Sequence, residues 1–235
     1  LTWGDPVFQT WTIGWNWHAL TTDPLHIFDT NIMYPWRNTL AYADHLFGQT
    51  ALVLPVMAVT GNAVLADNVS VLLAFFLSGL AMYLLAYDIT GSRLAALVAG
   101  LAYAYAPSRM AHLEHLNVLS AQWPPLALLC LRRIAIPRPG PSADAAPPEA
   151  QPRGWRVVRW HWYVLLGLVF FLQGLFGVYY LYFTIVVLVV AAAVWTAGAL
   201  VGRDPSVVQR LLVAAGACAV AGLLLIPTLL PYLRL

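Results

Sequence analysis

Nine of the twelve basic residues, all Arg, fall into three of the gaps between the long apolar runs of this chain, and those gaps alternate along the sequence. Arg93 follows the first run. Arg132, Arg133, Arg138, Arg153, Arg156 and Arg159 follow the third, and Arg203 and Arg210 the fifth. Short Arg-rich loops stay on the cytoplasmic side of a membrane, so the alternation predicts a polytopic transmembrane protein with these gaps inside. The N-terminal stretch and the segment near 107–117 then face outward. That side holds Asp5, Asp23, Asp29, Asp44, Glu114 and five of the six His residues, which makes it the expected seat of any chemistry.

Composition excludes the soluble alternative. With 61% apolar and 9% charged residues and a mean hydropathy of +0.73, a soluble chain of this size could not cover itself with polar surface. The net charge of +2 is accounted for by topology and gives no reason to expect a nucleic-acid partner. Cys130 and Cys218 lie inside apolar runs, where a thiol behaves as a small hydrophobe.

The runs predict an all-α fold with six spans, near 68–88, 94–107, 117–134, 161–176, 178–201 and 211–231, each of about the length that a hydrocarbon core requires. The stretch from Val164 to Val201 is too long for one helix, and Gly174 and Gly177 place a tight reversal inside it. Four regions follow: 1–67, an outer-face loop with interfacial helices; 68–134, the first three spans; 135–160, a Pro-rich cytoplasmic linker; and 161–235, the last three spans. The chain begins without Met and ends in mid-pattern, so it is read as a fragment of a longer membrane domain.

In the first region, Asp5-Pro6 offers a cap with Pro at the first helical position, and Phe8, Trp11, Trp15 and His18 recur at helical spacing. Trp3, Trp11, Trp15, Trp17, Tyr34 and Trp36 are the residue types that settle at headgroup depth, so a helix over about 6–21 is predicted to lie in the interface. Asp23-Pro24 ends it. A second short helix near 40–50 leads into an apolar run from Ala51 to Val59, broken by Pro55, Gly61 and Asn62 and too short to span.

This order carries a resemblance. An outer Gly4-Asp5 loop with interfacial helices is followed by a span ending in Tyr87-Asp88-Ile89-Thr90-Gly91-Ser92-Arg93. Ala104-Tyr105-Ala106-Pro107-Ser108-Arg109 opens a second outer loop, and Tyr179-Tyr180 sits at the reversal. The layout resembles the N-terminal module of bacterial polytopic glycosyltransferases of the GT-C fold, the group that includes protein O-mannosyltransferases, aminoarabinose transferases and YfhO-like membrane proteins. The resemblance implies a bacterial inner or plasma membrane enzyme of the cell envelope with an outward active site. Such an enzyme moves a hexosyl or pentosyl group from a polyprenyl-phosphate-linked sugar to a lipid, glycan or protein acceptor. Asp5 matches the essential acidic residue of the first outer loop. Many members carry two adjacent acidic residues there, whereas this chain reads Gly4-Asp5-Pro6.

The residues supply chemical reasons of their own. Glycosyl transfer to a hydroxyl needs a group that takes the acceptor's proton, and Asp5 is the candidate base, with helix capping as its alternative role. The departing phosphate needs cationic or hydrogen-bonding partners. Arg109, His112 and His115, at successive spacings of three on one helical face, are the candidate phosphate-binding cluster, the alternative being an interfacial helix meeting water and lipid headgroups. A divalent metal, Mg²⁺ or Mn²⁺, between Asp5 and this loop is compatible with a phosphate-bearing substrate. The string from His112 to His115 lacks the i,i+4 His pair of a helical zinc site, so the metal is left undetermined. Glu114, Tyr179, Tyr180 and Gln173 are candidate pocket residues. The tyrosines form either a pocket floor or, with Tyr182, an aromatic belt, and the Gln173 amide faces either a cavity or a neighbouring helix. Two rival functions stay open: a noncatalytic membrane scaffold of the same fold, and a lipid or sugar transporter or flippase, which would carry charges within its spans.

Overall fold

The computed structural model describes residues 4–136, 160–202 and 204–234; the expected linker, apart from its ends, and Arg203 lie outside them. The described residues are all-helical. In chain order the helices are α1 (Gly4–Thr22), α2 (Phe47–Thr60), α3 (Ala63–Thr90), α4 (Arg93–Ala104), the single turns α5 (Pro107–Met110) and α6 (Leu116–Leu119), α7 (Trp123–Ala135), α8 (His161–Phe176), α9 (Val178–Gly202), α10 (Pro205–Leu224) and α11 (Ile226–Leu233).

Local chemistry explains the boundaries. Gly61 and Gly91, both left-handed, close α2 and α3 by donating to the Met57 and Tyr87 carbonyls. The next residue then starts the following helix: Asn62 Oδ1 accepts from Leu65 N, and Ser92 Oγ accepts from Ala95 N. The expected reversal is at Gly177 (φ 155°), a conformation that side chains rarely adopt. Pro227 divides the last run into α10 and α11. Pro55, expected to break the apolar run from Ala51 to Val59, instead sits inside α2. Its ring is exposed, while Val53 and Met57 on either side are buried, so packing on that face offsets one missing hydrogen bond.

Among the described residues three segments are long and apolar enough to cross a membrane: α3, α9 and the continuous pair α10–α11. At 1.5 Å per residue α3 reaches about 42 Å, beyond a hydrocarbon core of about 30 Å. The other three expected spans are formed by shorter helices of 12, 13 and 16 residues in α4, α7 and α8. The expected runs of α4 and α7 are longer than their helices because Pro107 ends one run in a separate turn, and Ser120-Ala121-Gln122 splits α6 from α7 before Pro124, whereas α8 has the bounds expected for it.

Packing gives the molecule two poles. Asp88, near the end of α3, pairs with Arg132 and Arg133 at the end of α7, Arg133 stacks over Trp162 at the start of α8, and Arg210 of α10 donates to the Ala135 carbonyl. These contacts gather the described inter-run arginines at one pole, with Arg93 in the adjoining turn. At the other pole α1, the 105–122 segment, the α8–α9 reversal and α11 converge. Gln49 reaches the Phe176 carbonyl there, and the Tyr232 hydroxyl donates to Ala43 O. Two apolar cores lie between. One packs Ala127, Ile134, Leu166 and Leu188 of α7 to α9 with α10; the other packs Ile13, Val53, Ala66 and Leu119. Where α3 meets α4, Gly100 lies against the Gly79 backbone so closely that a Cβ would stand 2.8 Å from the Gly79 oxygen.

Candidate functional site

The pole opposite the arginine cluster is built from interrupted helices, and each interruption leaves carbonyls without an intrahelical donor. Where a chain crosses lipid such groups must be satisfied internally. Buried amide and guanidinium side chains do this. Arg109, 5% exposed, donates through Nε to Ala104 O at the end of α4, and through Nη2 to Leu119 O at the end of α6 and to Ser78 Oγ. Its guanidinium lies against the Phe75 and Tyr103 rings. Gln49 donates to Phe176 O and Ser120 Oγ, and Asn16 to His45 O and Thr50 Oγ1. Gln173, 1% exposed, donates to Gly177 O and accepts from Thr184 Oγ1, so its amide locks the α8–α9 reversal rather than facing a cavity.

Two acid–imidazole pairs form among the described residues: the exposed His26–Asp23 pair, three residues apart just beyond the end of α1, and His115–Asp5, which joins two separate segments. His115 Nε2 lies 2.9 Å from Asp5 Oδ2, joining residues 110 positions apart, and the Asp5 side chain is 53% exposed. Gln9 creates the meeting. One turn after Asp5 on α1, its Nε2 donates to Glu114 O and its Oε1 accepts from Leu116 N, both at 2.9 Å, so one amide grips the backbone on either side of His115. His115 Nδ1 is buried with no hydrogen-bond partner. The exposed His112 ring packs edge-on against His115 at 5.6 Å, and its Nδ1 meets Ser108 O at 2.7 Å.

Several expectations change here. Arg109, His112 and His115 do not share a helical face, because the helix after Pro107 lasts one turn and 111–114 is a run of turns. Arg109 goes inward to helix-terminal carbonyls, where a cation is favoured by the helix dipole, while His112 and His115 stay at the surface with Asp5. The helix containing Asp5 begins at or before Gly4, so Asp5 lies in its first turn rather than ahead of it. An acid there complements the dipole, and its carboxylate is directed at His115. The aromatic stripe is present as a ladder of ring contacts running Phe8, Trp11, Trp15 and His18. Glu114 is half-buried beside the pair and contributes its carbonyl to Gln9. Tyr179 is exposed and packs with Tyr180 and Phe183 on α9, and Tyr180 is within electrostatic reach of Arg109.

A second acidic position lies nearby. Asp44 accepts from Asn117 Nδ2, and burial holds its carboxyl above the usual carboxylate range, partly offset by that bond. Its neighbour His45 is 1% exposed, stacks on Phe47 at 4.2 Å and accepts the Phe47 N–H through Nδ1; burial pushes its pKa down to about 4. His45 is thereby a neutral interior residue. Among the described residues no group of three His, Cys, Asp or Glu side chains is arranged to hold a metal ion. Asp5 and His115 alone do not fit Mg²⁺ or Mn²⁺, which take several oxygen ligands.

Sequence reasoning missed Gln9 and Asn16. A signal was present: Gln9, Thr12, Asn16 and Ala19 repeat at helical spacing beside the aromatic stripe, and a repeat that keeps amides among apolar neighbours marks a face that binds backbone.

The chain matches no protein-family model, no characterised protein and no solved structure.

Proposed function

We propose that the chain is a membrane glycosyltransferase that moves a sugar from a polyprenyl-phosphate donor to an acceptor at the pole bearing Asp5 and His115. The observation that carries this reading is the half-exposed Asp5 carboxylate held at 2.9 Å from His115 by the Gln9 clamp, with His112 alongside. In the proposed step Asp5 takes the acceptor hydroxyl's proton as its oxygen bonds to the anomeric carbon. The bond from that carbon to the phosphate oxygen breaks, and the electron pair leaves with polyprenyl phosphate. His112, whose ring is exposed, hydrogen-bonds the departing phosphate, while His115 stays on the Asp5 carboxylate and orients it. The stripe from Phe8 to His18, with Tyr34 and Trp36, fits headgroup depth, as the face that receives a lipid-linked donor requires.

The test is release of polyprenyl phosphate from polyprenyl-phosphate hexoses and pentoses by the reconstituted chain. Asp5-dependent release supports the reading; no release from any donor, or release unchanged in Asp5→Asn, overturns it. Sidedness is measured separately with cysteines at the exposed positions Thr22 and Ser92. An impermeant thiol reagent applied to intact cells should label Thr22→Cys and spare Ser92→Cys.

One observation favours a noncatalytic scaffold instead: Arg109 and Gln173 are both consumed in satisfying the protein's own backbone. In that reading the Asp5–His115 pair is a staple between α1 and the 107–119 segment, and its loss changes stability alone.

A further inference from the structure

We propose that the cleft between α7, α8, α9 and α10 binds one acyl chain of an anionic phospholipid, with the lipid phosphate held at its mouth by Arg210. This stands apart from the proposed transfer reaction, at the opposite pole.

The cleft has a volume of about 420 Å³ and is walled by Leu131, Leu166, Phe170, Leu188, Ala214 and Cys218, with no charged side chain in its lining. An apolar cavity of this kind stays dry and accepts apolar ligands. It exists because α10 presents small residues there, among them Gly222, where an added Cβ would meet nothing within 4 Å.

The mouth is defined by three elements at once. Arg210 lies one helical turn before Ala214 on α10. Its Nη2 donates to Ala135 O, one turn beyond Leu131 on α7, at 3.3 Å. Tyr163, three residues before Leu166 on α8, is within electrostatic reach of Arg210. The guanidinium therefore crosses the end of the cleft from α10 to α7. Its Nε is buried without a hydrogen-bond partner, and no described carboxylate pairs with it. Asp204, the N-cap of α10, is within electrostatic reach of Arg210 but makes no ion pair with it and commits an oxygen to Ser206. At this pole Arg93, Arg132, Arg133 and Arg210 face only Asp88 and Asp204 among the described residues, so the field favours an anion.

A half-buried cation with an unpartnered Nε–H at the end of an apolar slot between membrane helices matches a phosphate attached to a hydrocarbon chain. The occupant's net charge follows from the excess of arginines: a zwitterionic headgroup would bring a second cation to them. A purely structural role for Arg210, closing the last turn of α7 through Ala135 O, makes no distinction between lipids.

The test uses the full chain in phosphatidylcholine vesicles doped with phosphatidylglycerol or phosphatidylcholine carrying a photoreactive group in mid-chain, with adducts mapped by peptide mass spectrometry. In the parent, phosphatidylglycerol should label cleft residues of α9 and α10 about fivefold over phosphatidylcholine, the preference one arginine confers. R210Q should bring that ratio to about one, R210K should keep most of it, and G222L should reduce cleft labelling by both lipids. Equal labelling by both probes in the parent, an unchanged ratio in R210Q, or adducts on Phe76 and Leu80 of α3 as abundant as those in the cleft would overturn the proposal. If R210Q does not fold, the parent ratio and G222L decide the matter.

Discussion

Asp5 and Asp88 are both aspartates paired with cationic side chains, one at each pole, and their surroundings give them opposite uses. Asp88 is 3% exposed and held by two arginines from α7. Asp5 is half in solvent and held by a single imidazole. A buried carboxylate between two guanidinium groups is costly to disturb, because removing it leaves like charges together out of water. An exposed pair contributes little to stability, so its carboxylate is free for chemistry. Burial, rather than the pairing itself, separates a fastener from a candidate reactive group.

The sharpest way to break this contrast is at the fastener. Asp88→Ala should destabilise the bundle by about 3–5 kcal/mol, since Arg132 and Arg133 lose their shared counterion. Unfolding in a graded detergent–denaturant series measures it. A loss below 1 kcal/mol would mean that the two arginines find another anion.

Acidification probes the interior of the pole that carries Asp5. With His45 pushed down to about 4 from an ordinary value near 6.5, the folded state holds it neutral and the unfolded state binds the proton first. The stability this provides is present above about pH 6.5 and is lost as pH falls towards 4, amounting to roughly 3 kcal/mol at about 1.4 kcal/mol per pH unit. Asp44, held above its usual range beside it, works in the opposite sense, because the folded state then takes up a proton more readily as pH falls. His45→Gln should therefore flatten the acid limb of a stability–pH curve; an unchanged limb would show that other groups dominate it.

At Asp5 the expected effect is on rate alone. Asp5→Asn should lower sugar release at least about a hundredfold, equivalent to nearly 3 kcal/mol of barrier, while the unfolding midpoint stays where it was. Midpoint loss with full transfer would turn Asp5 into a second fastener and erase the contrast.

Arg109 gives the smallest expected effect. Arg109→Lys keeps the charge but cannot reach Ala104 O, Leu119 O and Ser78 Oγ together, so a stability loss of about 1–3 kcal/mol is expected, with weaker transfer only in proportion to the folded fraction. A specific loss of affinity for polyprenyl phosphate, with stability intact, would return Arg109 to the phosphate.

The helical class, the reversal at Gly177, the aromatic ladder of α1 and the gathering of the described inter-run arginines were legible in the sequence, because each depends on local spacing or on composition along the chain. Hydrophobic run length overstated two of the spans, those of α4 and α7, since a run does not record where a Pro or a Ser-Ala-Gln break interrupts the helix inside it. Only the tertiary structure decided which polar residues face inward. Nothing near Arg109 in the sequence shows that the ends of α4 and α6 converge on it, and nothing near Asp5 shows that Gln9 grips the backbone around His115. Those choices depend on which carbonyls are left without donors once the helices pack, and that is a property of the assembled bundle.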